Sequence, residues 1–260
     1  MATLYVFITG FGPFPGVPIN VSSVVGKEVS RRLEDYLHQT ECVADFAVEF
    51  VELSTCVRKT AEFFDALSTR VNTLLVEHPS AMVLLLHIGV VSKSVEGHLR
   101  IELCAYNEVD ARIPDVDGVL FSHTPIEKEQ EAGITFCREG VLKKSSDLHA
   151  ALANIVTSLN TSLRENPALQ ADQGRLTPTW RLSEDAGRYL CNYCLYRSMM
   201  IQDQYESSKQ VCSLFIHICD TYFSPPVETA EPAKQNPTEH TQTNLLFEFI
   251  QRLIPLVCSS

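Results

Sequence analysis

The chain has 260 residues, of which 45% are hydrophobic and 20% charged, and a net charge of −11. That is enough chain for one large domain with a well-buried core, or for two small ones. The acidic balance argues against a nucleic-acid ligand and against an anionic membrane surface, since both need a basic face.

Apolar runs stay shorter than the roughly 18 residues a membrane span requires, so no span is expected. The apolar start, Met1–Thr9, lacks a basic flank and runs into a glycine-rich turn. It reads as a first β-strand rather than a signal peptide, and a cytoplasmic location follows. Nine scattered cysteines in a reducing compartment are expected to be mostly buried free thiols.

Leu4–Thr9 is β-rich and leads into Gly10-Phe11-Gly12-Pro13-Phe14. Ser23–His38 has helical spacing, with Asn20, Ser22 or Ser23 as its cap. Asp45–Val51 alternates like a strand. Ser54 to about Glu77 reads as an amphipathic helix capped by Ser54. Ala81–Ile88 is a near-continuous apolar run ended by Gly89, as suits a strand covered on both faces. This β-α-β-α-β order predicts helices packed on a mostly parallel sheet, with ligands at the carboxyl ends of the strands.

Further on, Lys144–Glu165 is helical, Trp180–Ser183 reads as a short strand, Val211–Ile218 as a β-rich strand and Leu245–Val257 as a closing amphipathic helix. Polar stretches near 118–141, 166–179 and 225–244 read as surface excursions. No linker divides the chain, so one domain over 1–260 is expected.

The segment Asp185-Ala186-Gly187-Arg188-Tyr189-Leu190-Cys191 carries the most information. It reads as the entry into a helix, with a thiol placed within its first turns. The positive end of a helix macrodipole favours thiolate, the form that attacks carbonyls. Such a nucleophile needs a histidine and a group to orient it. His217, within the apolar strand Leu214–Ile218, and Glu102, in Arg100–Cys104, are the candidates. Each alone is more simply a core histidine and a strand-surface carboxylate. Phe11 and Phe14 alone are core packing, and Arg112 alone is a surface charge.

Taken together, Ile8-Thr9-Gly10-Phe11-Gly12-Pro13-Phe14, Glu102 with Asn107 and Ala111-Arg112-Ile113-Pro114, Asp185–Asn192 and Phe215-Ile216-His217 resemble pyroglutamyl-peptidase I, a cytosolic cysteine peptidase family. The motifs lie in family order and span most of the chain. The resemblance implies an α/β/α sandwich and hydrolysis of an N-terminal pyroglutamyl residue from peptides. It implies Cys191 as nucleophile, His217 as general base and Glu102 as the acid of the triad. It also implies Arg112 near the developing charge, and a lactam pocket shaped by Phe11, Phe14, Asn20, Ile113, Tyr189 and Leu190. No cofactor or metal is implied, and no oligomeric state is carried over. Three other readings compete: a redox pair from Cys191 and Cys194, a zinc site drawn from Cys191, Cys194, His217 and Cys219, and a catalytically silent relative that binds peptides or a partner protein.

Overall fold

The computed structural model describes residues 2–14, 16–41, 43–91, 97–127, 135–137, 148–166, 175–176, 178–221 and 237–258. Much of the three expected excursions lies outside them, as do 92–96, just after Gly89. A six-stranded sheet forms the middle layer, in the order β2-β1-β3-β8-β4-β7. Its strands are β1 (Ala2–Phe11), β2 (Val43–Leu53), β3 (Met82–Val91), β4 (His98–Glu102), β7 (Thr179–Ser183) and β8 (Val211–Cys219). Short strands β5 (Cys104–Tyr106) and β6 (Thr135–Cys137) pair separately. The β1–β2, β1–β3, β3–β8 and β4–β7 pairs are parallel, and β4 runs antiparallel to β8.

Helices α1 (Val21–Leu37), α3 (Leu148–Glu165) and α5 (Glu239–Cys258) cover one face of this sheet. Helices α2 (Val57–Glu77) and α4 (Leu190–Asp203) cover the other. Side chains alternate between the faces along each strand. On β1, Leu4, Val6 and Ile8 meet the three-helix layer, while Phe7 and Phe11 meet the two-helix layer. Strands β3 and β8 lie at the centre, covered on both sides. This is why their sequences are continuous apolar runs and not alternating ones. Every residue of β8 is buried, including His217. In the outer region, Trp180 of β7 stacks on Phe249 of α5 at 5.1 Å. Burial of one such large ring contributes roughly 2–3 kcal/mol.

Two helix starts differ from the sequence expectation. Helix α2 begins at Val57, and its Ncap residue, Cys56, gives no side-chain cap. Ser54 does not cap it either. Instead the Val57 amide donates to Asp115 Oδ2 at 3.1 Å. The same carboxylate accepts from the amides of Asp117 and Val119. Helix α5 begins at Glu239, ahead of the expected Leu245, because Thr238 Oγ1 accepts from the Thr241 amide at 3.1 Å. Buried Gln242 in its first turns is bonded to both the amide and the carbonyl of Cys219. That polar side chain belongs to the sheet edge, although its neighbours look like a loop. Helix α1 starts as expected, with Asn20 accepting from the Ser22 amide at 3.1 Å. Among the described residues, no helix is long and apolar enough to cross a membrane.

Candidate active site

The carboxyl ends of β1, β3 and β8 open on the same edge of the sheet. Helix α4 starts above that edge, with Cys191 as its second residue. The approach to the helix is fixed by the Asp185–Arg188 turn. Asp185 Oδ1 accepts from the Gly187 amide at 3.0 Å and pairs with the Arg188 guanidinium at 2.7 Å. Gly187 has φ of 80°, a conformation that a residue with a Cβ adopts only at a cost. Arg188 then lies over the Tyr106 ring at 3.3 Å and reaches Glu108 at 3.3 Å. After the cysteine, buried Asn192 bonds the backbone of Tyr106 in both directions and the carbonyl of Glu108, at 2.8–2.9 Å. Residues on both sides of the thiol are therefore clamped to the end of β5 and the residues just after it. This explains why the sequence around Cys191 carries so specific a pattern.

Below the thiol lies β3. A Cβ placed on Gly89 would fall 2.9 Å from Cys191 Sγ and 2.7 Å from the Phe215 ring. Gly89 is thus the floor on which the sulfur rests. In the sequence Gly89 is only the end of an apolar run; nothing in one sequence distinguishes a glycine that ends a strand from one that makes room for a side chain.

Gly89 is paired in register with His217 of β8. His217 shares the face of Phe215, the face toward α4. On its far side, β4 is paired antiparallel with β8, so Glu102 is opposite Phe215 and Arg100 is opposite His217. Glu102 is fully buried, and its Oε1 accepts from His217 Nδ1 at 2.7 Å. That bond fixes the ring and leaves Nε2 toward Cys191. Burial works to lower the His217 pKa. The Cys191 sulfur, acting both as a charge and as a hydrogen-bond partner, and the Glu102 carboxylate outweigh it and hold the imidazole at about 9. The protonated ring is favoured.

The sulfur and the imidazole open into a cavity of about 570 Å³, within the size range of small-ligand sites. Its wall carries Phe11, Phe14, Ile113, Tyr189 and Leu190 together with Cys191 and His217. Asn20 also lines it, but its amide is spent on the fold. Its Nδ2 donates to the Gly12 carbonyl, and its Oδ1 accepts from the amide and hydroxyl of Ser22. Tyr189 is pushed up to about 12, first by burial and then by Asp115, so its phenol stays protonated. Arg112 is placed elsewhere. It is exposed and does not line the cavity. The chain around it is anchored by buried Ala111, whose amide donates to the Phe121 carbonyl at 2.9 Å, and the next side chain turns to solvent. The first amides of α4, the helix that carries Cys191 as its second residue, have no intrahelical acceptor.

The redox and zinc readings gain no geometry. Cys194 is wholly buried and its thiol is raised well above the usual range by burial. Cys219 is likewise raised to about 12 by burial. Both cysteines, like Cys191, are free thiols. Among the described residues, no three His, Cys, Asp or Glu side chains gather into a metal-holding group.

No family model and no curated protein matches the sequence. Solved structures do. Pyroglutamyl peptidase I of Bacillus amyloliquefaciens superposes with a TM-score of 0.61 at 18% identity, over 98% of this chain and 97% of that one. The pyrrolidone carboxyl peptidase of Fervidobacterium islandicum AW-1 gives 0.61 at 20%, over 96% and 98%. A variant of the pyrrolidone carboxyl peptidase of Pyrococcus furiosus gives 0.60 at 21%, over 95% and 97%. The fold is that of pyroglutamyl peptidase I. At these identities the likeness is one of architecture along the whole chain.

Proposed function

We propose that this chain is a cysteine peptidase that removes an N-terminal pyroglutamyl residue from peptides. The observation that carries the reading is the line Glu102–His217–Cys191, with its 2.7 Å carboxylate–imidazole bond, at the mouth of a cavity walled by Phe11 and Phe14. Pyroglutamate is a flat, uncharged lactam, so aromatic faces suit it. A free amino terminus would bring an ammonium into the same space. Of the three carboxylates on the wall, Asp115 is committed to three backbone amides and Asp185 to Arg188, and Asp220 is not without a partner, which argues against any of them holding that charge. Desolvating an unpaired ammonium costs enough to exclude it.

In this mechanism the Cys191 thiolate attacks the pyroglutamyl carbonyl, forming a C–S bond and an oxyanion beside the α4 amides. Protonated His217 gives its proton to the leaving nitrogen as the C–N bond breaks, leaving a thioester. Water, deprotonated by His217, then attacks the thioester carbonyl; the C–S bond breaks, pyroglutamate leaves, and the Cys191 thiolate and protonated His217 are restored. No cofactor takes part in these steps. A cytoplasmic setting belongs to the same proposal, supported by the free state of the cysteines among the described residues.

The test compares pyroglutamyl-, alanyl- and prolyl-aminomethylcoumarin under reducing conditions. Release from the pyroglutamyl substrate alone is expected. Equal release from all three, or none from the pyroglutamyl compound at high enzyme concentration, contradicts the reading.

A further inference from the structure

Arg100 plays no part in the catalytic steps above, yet it lines the same cavity as Cys191 and His217. It is placed directly across from His217 in the antiparallel β4–β8 pair. Partners so placed point to one face, with Cβ atoms about 5 Å apart. Because β4 runs against β8, Arg100 is nearer the open edge of the sheet than Glu102, which supports the imidazole from below. Its Nε is buried and without a hydrogen-bond partner. None of the ion pairs among the described residues includes it. A half-buried guanidinium left in that state is costly unless a ligand completes it.

The other charged groups on the wall are accounted for. Arg188 is held by Asp185 and Glu108, and Asp115 by backbone amides. Asp220, also on the wall, is not without a partner, and none of the ion pairs among the described residues joins it to Arg100. The surplus cation on this side is Arg100.

Its position decides what it meets. If the proposed peptidase chemistry holds, the acyl group occupies the aromatic side of the sulfur, and His217 must reach the leaving nitrogen. The chain beyond that nitrogen then passes His217 and arrives at Arg100. The geometry points to Arg100 as a specificity determinant that selects a carboxylate in the residue following pyroglutamate. Two sources share that chemistry: an Asp or Glu side chain, or the terminal carboxylate of a pyroglutamyl dipeptide. A charge-assisted guanidinium–carboxylate bond here is expected to raise kcat/KM by roughly tenfold.

The experiment measures pyroglutamate released from two substrate pairs. Pyroglutamyl-glutamyl amide against pyroglutamyl-glutaminyl amide reads the side-chain source; pyroglutamyl-alanine against pyroglutamyl-alanyl amide reads the terminal source. A preference near tenfold for the carboxylate member of at least one pair is expected. Arg100→Gln should bring that ratio close to one, and Arg100→Glu should invert it. The ratio is internal to each protein, so loss of folded enzyme cancels. Hydrolysis of all four substrates without a carboxylate preference, or a preference that survives in both variants, overturns this inference and leaves the peptidase reading standing. Hydrolysis of none of them overturns both.

Discussion

His217 of β8 and Glu102 of β4 are separated by 115 positions in the chain and meet through a 2.7 Å bond in a fully buried setting. Antiparallel pairing of β4 with β8 makes this possible, since it brings the end of β4 level with Phe215. Changing Glu102 to Gln keeps an acceptor for Nδ1 but removes the charge that favours imidazolium. A loss in kcat on the order of 100-fold or more is expected, with little change in melting temperature. Glu102→Ala should add a stability loss of about 1–3 kcal/mol, because it leaves a buried imidazole donor unpaired. Paired kinetics and thermal melts on both variants check this.

The pH profile follows from the raised His217 pKa of about 9. A histidine raised above its unfolded value of roughly 6.5 favours the protonated fold. That stabilisation is fully present below the unfolded value and is lost as pH rises through about 9. Activity that depends on the imidazolium should fall through the same window. In Glu102→Gln the alkaline limb should move to lower pH. A profile flat from pH ~7 to ~10 contradicts the role given to His217.

Gly89→Ala tests the floor beneath the Cys191 sulfur. The added methyl would stand 2.9 Å from Cys191 Sγ and 2.7 Å from the ring of Phe215, and one of them must move. Overpacking of this kind costs about 1–3 kcal/mol. Displacement of the sulfur by a fraction of an ångström should lower kcat by at least tenfold. Retained kcat with a small stability loss would mean that Phe215, and not the nucleophile, yields.

Thiol reactivity should separate the cysteines. Cys191 is partly accessible, whereas Cys194 and Cys219 are buried and their thiols are pushed up by burial. Iodoacetamide on the native protein should label Cys191 first, with activity lost in step, as peptide mass mapping will show. Labelling of Cys194 at a comparable rate contradicts the buried placement of that thiol.

Much of this architecture is legible in the sequence. The apolar runs of β3 and β8 report burial on both faces, and Asn20 marks the start of α1 because its cap is local. The Asp185–Cys191 segment is legible because its turn, its glycine and its clamp on Tyr106 each demand particular residues. The rest depends on partners distant in sequence. The α2 cap comes from Asp115, and no local pattern points from Val57 to it. Arg112 belongs to a motif that points to the cavity, but the turn after Ala111 directs its side chain outward. Arg100 gave no signal at all, since an arginine two residues before a glutamate reads as an exposed strand face until the register sets it beside His217.

The proposed peptidase chemistry needs the Cys191 sulfur as nucleophile. The most direct test is the rate of pyroglutamyl-aminomethylcoumarin hydrolysis by Cys191→Ala, with its circular dichroism matched to the parent protein. A fall in kcat of roughly 10,000-fold or more is expected. Turnover within tenfold of the parent would contradict the assignment of Cys191 and the mechanism built on it.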